Sequence, residues 1–259
     1  AGKYFLKKQQ RSIGIPEYEI IKIAIKSLGL DELSPFNPKE RVIEYMLEEK
    51  DTPLLDMNLY DFANETASES PAPGGGSISA YCGAMGVALG TMVANLSAHK
   101  RGWDDKWEEF SKWAEKGLMY QNTLLNLVDE DTHAFNKVMD AFRLPKETDE
   151  DIQKRKDAIE NATKFAIETP FKVMETALKS MEVMKAMAES GNPNSITDAG
   201  VGALCARTAV IGAFLNVKIN CGDCQDKKFV NKILNEGQKI VDDACNLETE
   251  IMKITYSKI

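Results

Sequence analysis

Strand signals are nearly missing from this sequence. No stretch of useful length alternates apolar with polar residues, and no Asn-Gly pair marks a hairpin turn. That excludes sheet-based folds and leaves helices. A surplus of base is missing as well: 40 acids against 32 bases give a net charge of −8. This argues against a nucleic-acid partner, which needs a basic face, but a small anion needs only a local basic cluster. Cysteine is sparse, with five residues at 82, 205, 221, 224 and 245. Their odd count and wide spacing do not suit a secreted disulfide framework and point to a reducing, cytoplasmic setting. There is no internal repeat and no low-complexity tract, and no signal peptide is expected. The chain begins at Ala1 in an apparently helical run, Tyr4-Phe5-Leu6, which predicts a piece of a longer protein.

What is present is helical periodicity, with apolar residues at 43%, enough for a large core. Residues 1–50 read as short helices over Lys3–Arg11, Glu17–Leu28 and Lys39–Leu47, separated by Gly14, Pro16, Gly29 and the turn Ser34–Pro38. Glu48–Pro53 is a charged, Pro-ended link and the expected boundary with a second domain over 51–259. That domain is expected to hold helices over Met57–Ser68, from Ser77, over Asp104–Phe142, from Thr148, over Ile196–Asn220 and over Asp226–Thr255. Thr169-Pro170 reads as an N-cap with Pro at the first helical position, and so as a further helix start. Ile78–Ala98 is about long enough to span a membrane, and Gly86-x-x-x-Gly90 resembles a helix-dimer motif. Built of Ala, Gly and Ser, with Asn95 inside it, this segment reads instead as the buried helix of a soluble bundle, with no membrane partner.

Chemistry has three candidate positions. Pro71-Ala72-Pro73-Gly74-Gly75-Gly76-Ser77 runs directly into a helix. Without Cβ atoms at Gly74, Gly75 and Gly76, backbone N–H groups can approach an anion or a carbonyl oxygen, and Ser77 is a natural N-cap. A tight turn into a crowded helix would look the same. It is not a P-loop, since no Gly-Lys-Ser/Thr follows. The second candidate is Asp131. On the long helix, Leu124, Val128, Phe135, Val138 and Phe142 form an apolar face, and Asp131 fills the gap between Val128 and Phe135. A carboxyl there is desolvated, which raises its pKa and keeps an acid protonated. A structural hydrogen bond to a buried Asp is the other reading. Asp129 and Glu130 read as solvated acids and His133 as exposed. The third candidate is Asp198, in the first turn of an apolar helix, where ordinary helix-start chemistry also explains it.

Weaker candidates follow. His99-Lys100-Arg101 holds an anionic tail or caps a helix. Arg143 and Lys154-Arg155-Lys156 offer the same choice. Cys221-Gly222-Asp223-Cys224 is a lone C-x-x-C, and no metal site is assigned to it. Asn216 and Asn220 are polar groups on a buried helix that need partners and could line a pocket.

Four motifs carry a family resemblance. Ala72–Ser77 with the small-residue helix ending in Lys100-Arg101, Leu127–Phe135 with Arg143–Lys146, Ser195–Ala203 and Gly212–Asn220 resemble the cyclodeaminase half of formiminotransferase-cyclodeaminases. The likeness spans about residues 55–250, and residues 1–50 resemble the end of the transferase half. The resemblance implies an all-α, dimerising bundle of about six to eight helices around a central small-residue helix. It also implies a tetrahydrofolate substrate, conversion of 5-formiminotetrahydrofolate to 5,10-methenyltetrahydrofolate and ammonia, and no cofactor. It places the family's catalytic aspartate on Asp131, with lesser roles for Asp198 and the glycine loop, and sets Lys100 and Arg101 against the substrate's glutamate carboxylates. No transferase activity is expected of this stretch. Two rival expectations are a methenyltetrahydrofolate cyclohydrolase and a non-catalytic helical assembly module.

Overall fold

Small side chains set how closely helices can approach, and they do so at the centre of this molecule. The computed structural model describes residues 1–47 and 51–259, which are helical without a strand. The residues 48–50 of the expected link lie outside that description. The small-residue segment is one helix, α6 (Gly75–Ala98). It packs against α7 (Trp107–Arg143), α8 (Asp149–Ser190) and α9 (Ile196–Asn220), and α10 (Lys227–Tyr256) closes over α8 and α9. At the α6–α9 crossing, a Cβ on Gly86 would lie 2.7 Å from the Gly202 carbonyl, and one on Gly202 2.7 Å from the Gly86 carbonyl. Only paired glycines allow that approach. The two helices run antiparallel, with Gly75 beside Asn216 at one end and Gly86 beside Gly202 nearer the other. Met174, Met181, Met184 and Met187 of α8 fill the space behind them, fully buried. Both α6 and the stretch Pro193–Asn220 are long and apolar enough to cross a membrane. In the fold both are packed against other helices of the bundle.

The short α5 (Leu59–Thr66), capped by Asn58, begins two residues later than expected and rests on α6 through Phe62 and Tyr81. The N-terminal helices are α1 (Gly2–Lys8), α2 (Glu17–Ser27), α3 (Pro38–Arg41) and α4 (Ile43–Leu47). The chain between α1 and α2 is seated on the bundle. Ile13 N–H donates to Ser111 Oγ at 3.0 Å, and Asn95 Nδ2 donates to the Gly14 carbonyl at 2.8 Å.

The break expected at Thr169-Pro170 does not occur: α8 runs through it for 42 residues. Its start matches expectation, with a capping box between Thr148 and Asp151. Pro170 has no N–H, so the carbonyl four residues back, on Ala166, loses its helical donor. Asn220 of α9 supplies one instead, through Nδ2 at 2.7 Å. Thr169, read as a cap, donates its hydroxyl to the Phe165 carbonyl at 3.0 Å. Sequence periodicity cannot register a repair delivered from another helix.

Candidate active site

A helix N-terminus leaves its first N–H groups without partners. In α6 the N-cap is Gly74, which has no side chain to offer, and Ser77 lies in the first turn rather than at the cap. The missing acceptor comes from α7. Asp131 Oδ2 accepts the Ser77 N–H at 2.9 Å and the Ser77 hydroxyl at 3.2 Å. The carboxyl lies so close over Gly76 that a Cβ there would overlap it. Two independent sequence candidates, the glycine loop and Asp131, therefore form one site. Burial pushes the Asp131 carboxyl above its ordinary value, and the two Ser77 hydrogen bonds only partly oppose this.

Asp131 Oδ1 accepts no hydrogen bond among the described residues, and the Gly75 and Gly76 N–H groups donate none. Beside them lies Asn216. Its Nδ2 donates to the Gly212 carbonyl at 2.9 Å and would be 3.2 Å from a Cβ on Gly75. Ser79 ties the same corner by donating to the Gly75 carbonyl at 2.6 Å. The result is a carboxyl inclined to hold its proton, one free oxygen on it, and two backbone donors at the positive end of a helix. Such a set can deliver a proton to a leaving group and steady a developing negative charge.

The other expected positions lie elsewhere. Asp198 sits in the first turn of α9, 18 residues before Asn216, which is roughly 27 Å along the helix. It does not meet Asp131 within the chain. Lys100 and Arg101 follow the C-terminus of α6, 25 residues from Gly75 and roughly 37 Å away along the axis. Lys100 Nζ lies over the Trp103 ring at 4.2 Å. Asn220 serves the Ala166 carbonyl rather than a pocket. Cys221 and Cys224 are free thiols in the packed turn before α10, with Cys224 Sγ donating to Glu160 at 3.3 Å. Arg143 and Lys154 pair with Asp140 and Glu150 on their own helices, and Arg155 donates to the Phe142 carbonyl.

Asp129 corrects the reading of solvated acids. It is 2% exposed, and its carboxylate accepts the N–H of Leu54 at 2.9 Å and of Leu55 at 3.3 Å. His133 is only part-exposed, and its Nε2 lies 3.2 Å from Asp51 Oδ2. Residues 51–55 thus form a strap along α7. The expected apolar face also shifts. Phe135 and Phe142 are exposed, while Leu124, Leu127, Val128 and Ala134 face the core. The strap covers one side of the helix, which a periodicity built from apolar residues alone does not reveal.

The described residues form a helical bundle with a desolvated carboxyl set against the start of its central helix. The chain belongs to the formiminotransferase-cyclodeaminase family, whose model matches residues 58–239, while a formiminotransferase domain model matches residues 1–48. A formimidoyltransferase-cyclodeaminase from Gallus gallus is 34% identical over 94% of this chain and 45% of its own length. This chain therefore spans about half the length of that relative. A methenyltetrahydrofolate cyclohydrolase from Methylorubrum extorquens is 34% identical, over 76% of this chain and 95% of its own. The crystal structure of formiminotetrahydrofolate cyclodeaminase from Thermotoga maritima superposes with a TM-score of 0.70 at 26% identity. The match covers 79% of this chain and 98% of that one.

Proposed function

We propose that this chain is a formimidoyltetrahydrofolate cyclodeaminase, with residues 51–259 as the catalytic domain and 1–50 as the end of a transferase domain without activity of its own. The reaction closes a ring. N10 of the folate attacks the formimino carbon carried on N5, the carbon becomes tetrahedral, and the former imino nitrogen leaves as ammonia. The formimino group enters protonated, as an amidinium, so its terminal nitrogen already carries two hydrogens. One further proton passes to it from N10, ammonia leaves, the product is the methenyl cation, and nothing is oxidised. Amines leave poorly until protonated, so a positioned acid is the main requirement.

The observation that carries the reading is the Asp131 carboxyl, biased toward its protonated form and held by Ser77 with one oxygen free. Asp131 hands its proton to the leaving nitrogen and regains one from N10. The Gly75 and Gly76 N–H groups lie at the same helix start, and Asn216 borders Gly75. The partner is a tetrahydrofolate derivative, with Lys100 and Arg101 drawing in its glutamate tail. The reaction as written needs no cofactor or metal. We place the protein in the cytoplasm, in one-carbon metabolism and histidine degradation, as a homo-oligomer of at least two chains without nucleic-acid or membrane partners.

The cyclohydrolase reading draws on the Methylorubrum extorquens relative. The match of residues 1–48 to a formiminotransferase domain favours the cyclodeaminase. Ammonia release from 5-formiminotetrahydrofolate, measured beside hydrolysis of the methenyl compound, decides between them. Release faster than hydrolysis is expected. Hydrolysis without release overturns the proposal, and failure to bind either folate leaves the assembly-module reading in its place.

A further inference from the structure

The side of α7 that carries Asp131 continues past it. Phe135, Val138, Met139 and Phe142 follow at helical spacing on the same side. Toward the N-terminus that side is sealed by α6, and Leu124 and Val128 are fully buried. The two helices run antiparallel, since Gly83 lies beside Leu124 and Gly76 beside Asp131. The start of α6 therefore coincides with Asp131. The chain ahead of Gly75 turns back, and Phe62 of α5 rests on Tyr81, deeper along α6. No residue of α6 is left to cover α7 beyond Asp131. Phe135, Met139 and Phe142 are accordingly 42%, 39% and 49% exposed. Neighbouring exposed apolar side chains of this kind mark an interaction site.

The two rings of this strip differ in what already occupies them. Arg155 of α8 lies over the Phe142 ring, 5.7 Å from its centroid, and donates to the Phe142 carbonyl through Nη2 at 3.1 Å. Phe135 has no ring or cation against it among the described residues. The opposite side of α7 is filled at the same level. His133 meets Asp51, and Lys137 lies over the Phe165 ring of α8 at 3.9 Å. Phe135 is thus an open aromatic face one turn, about 6 Å, beyond Asp131, and the strip ends on a guanidinium. A ring bonded to the reacting atom suits the first feature, and an anionic far end suits the second. The folate arm has both. N10 is bonded directly to a benzoyl ring, and the glutamate follows that ring.

We infer that Phe135, flanked by Met139, is the platform on which the substrate's benzoyl ring lies when N10 stands beside Asp131. Offset stacking of the two rings holds the arm along α7. It also fixes the torsion at N10 and so aims the N10 lone pair at the formimino carbon. The inference rests on the folate reading for the identity of the ligand, and on the point where α6 begins for the platform.

Titration calorimetry with two compounds tests it. One is 5-formyltetrahydrofolate, which carries the benzoyl-glutamate arm. The other is 5-formyl-6-methyltetrahydropterin, which lacks it. Phe135→Ala should bind the first roughly tenfold more weakly than the unmutated chain does, and the second equally well. Phe135→Tyr keeps the ring and should bind both as the unmutated chain does. Phe135 is exposed, so thermal unfolding should show neither variant destabilised. Unchanged affinity of Phe135→Ala for the arm-bearing compound overturns the platform, and so does an equal loss for both compounds. If the unmutated chain binds 5-formyltetrahydrofolate but releases no ammonia from the formimino compound, the activity reading alone fails. The titrations then still judge the platform. If the unmutated chain binds neither compound, the folate reading and the platform fall together.

Discussion

Asp129 and Asp131 stand two residues apart on α7 and have opposite fates. Each reaches across to the backbone of a distant segment, Asp129 to the strap at Leu54 and Leu55, Asp131 to the start of α6 at Ser77. Asp129 spends both oxygens on backbone N–H groups. Asp131 takes both Ser77 contacts on one oxygen and leaves the other free over Gly76. Residue type is the same and Asp129 is the more deeply buried of the two, so neither property marks the chemical carboxyl. The number of oxygens left without a partner, beside unbonded donors, does.

The largest effect should fall on Asp131. Asp131→Asn keeps an acceptor for Ser77 but cannot pass a proton, so ammonia release should drop by about 10²–10⁴-fold while the circular dichroism spectrum stays unchanged. Near-normal turnover would make Asp131 as structural as Asp129. The same variant gives a pH signature. Burial raises the folded-state pKa of Asp131 above its ordinary 3.8, so the native state binds the proton more tightly than the unfolded chain. The unmutated protein should therefore lose stability relative to Asp131→Asn as pH rises from about 3.8 through the raised value, and hold steady above it. Chemical denaturation across that window checks the sign.

Gly76→Ala comes next. Its Cβ would overlap the Asp131 carboxyl, so the carboxyl must move or α6 must shift. A displacement near 1 Å can lower turnover by about 10²-fold, with overpacking costing about 1–3 kcal/mol of stability. Unchanged kinetics would separate the glycine loop from the chemistry. Asp129→Ala should reverse the balance between stability and rate. Two buried N–H groups lose their acceptor, costing about 1–3 kcal/mol and lowering Tm by roughly 5 °C, while the folded protein keeps most of its turnover. A collapse in rate without loss of Tm would assign the strap to catalysis.

The smallest effect concerns a carbonyl rather than a carboxylate. Asn220→Ala should cost about 1 kcal/mol by removing the donor to Ala166. In a Pro170→Ala background that cost should nearly vanish, because the alanine introduced there would supply the helical N–H itself. Equal costs in both backgrounds, read from denaturation midpoints, would show that Asn220 acts elsewhere.

The helical class, the main helices of the bundle and the start of its central helix were all legible in the order of amino acids, because small and apolar residues recur at helical spacing and glycine punctuates the entry. Asp131 stood out there too, but from a face that the packing moved, since Phe135 and Phe142 are exposed while Asp129 is buried. Which acids were satisfied was settled by packing. Asp129 reads like its neighbour until Leu54 and Leu55 arrive from 75 and 74 residues away. The same holds for Pro170, which breaks a helix locally unless Asn220 repairs it from α9. It holds for Lys100 and Arg101 as well, placed by the 24-residue length of α6 far from the Asp131 site of their own chain. Local pattern records what a residue does to its own helix. Hydrogen bonds between segments distant in sequence depend on how those helices pack, and helical periodicity carries no record of them.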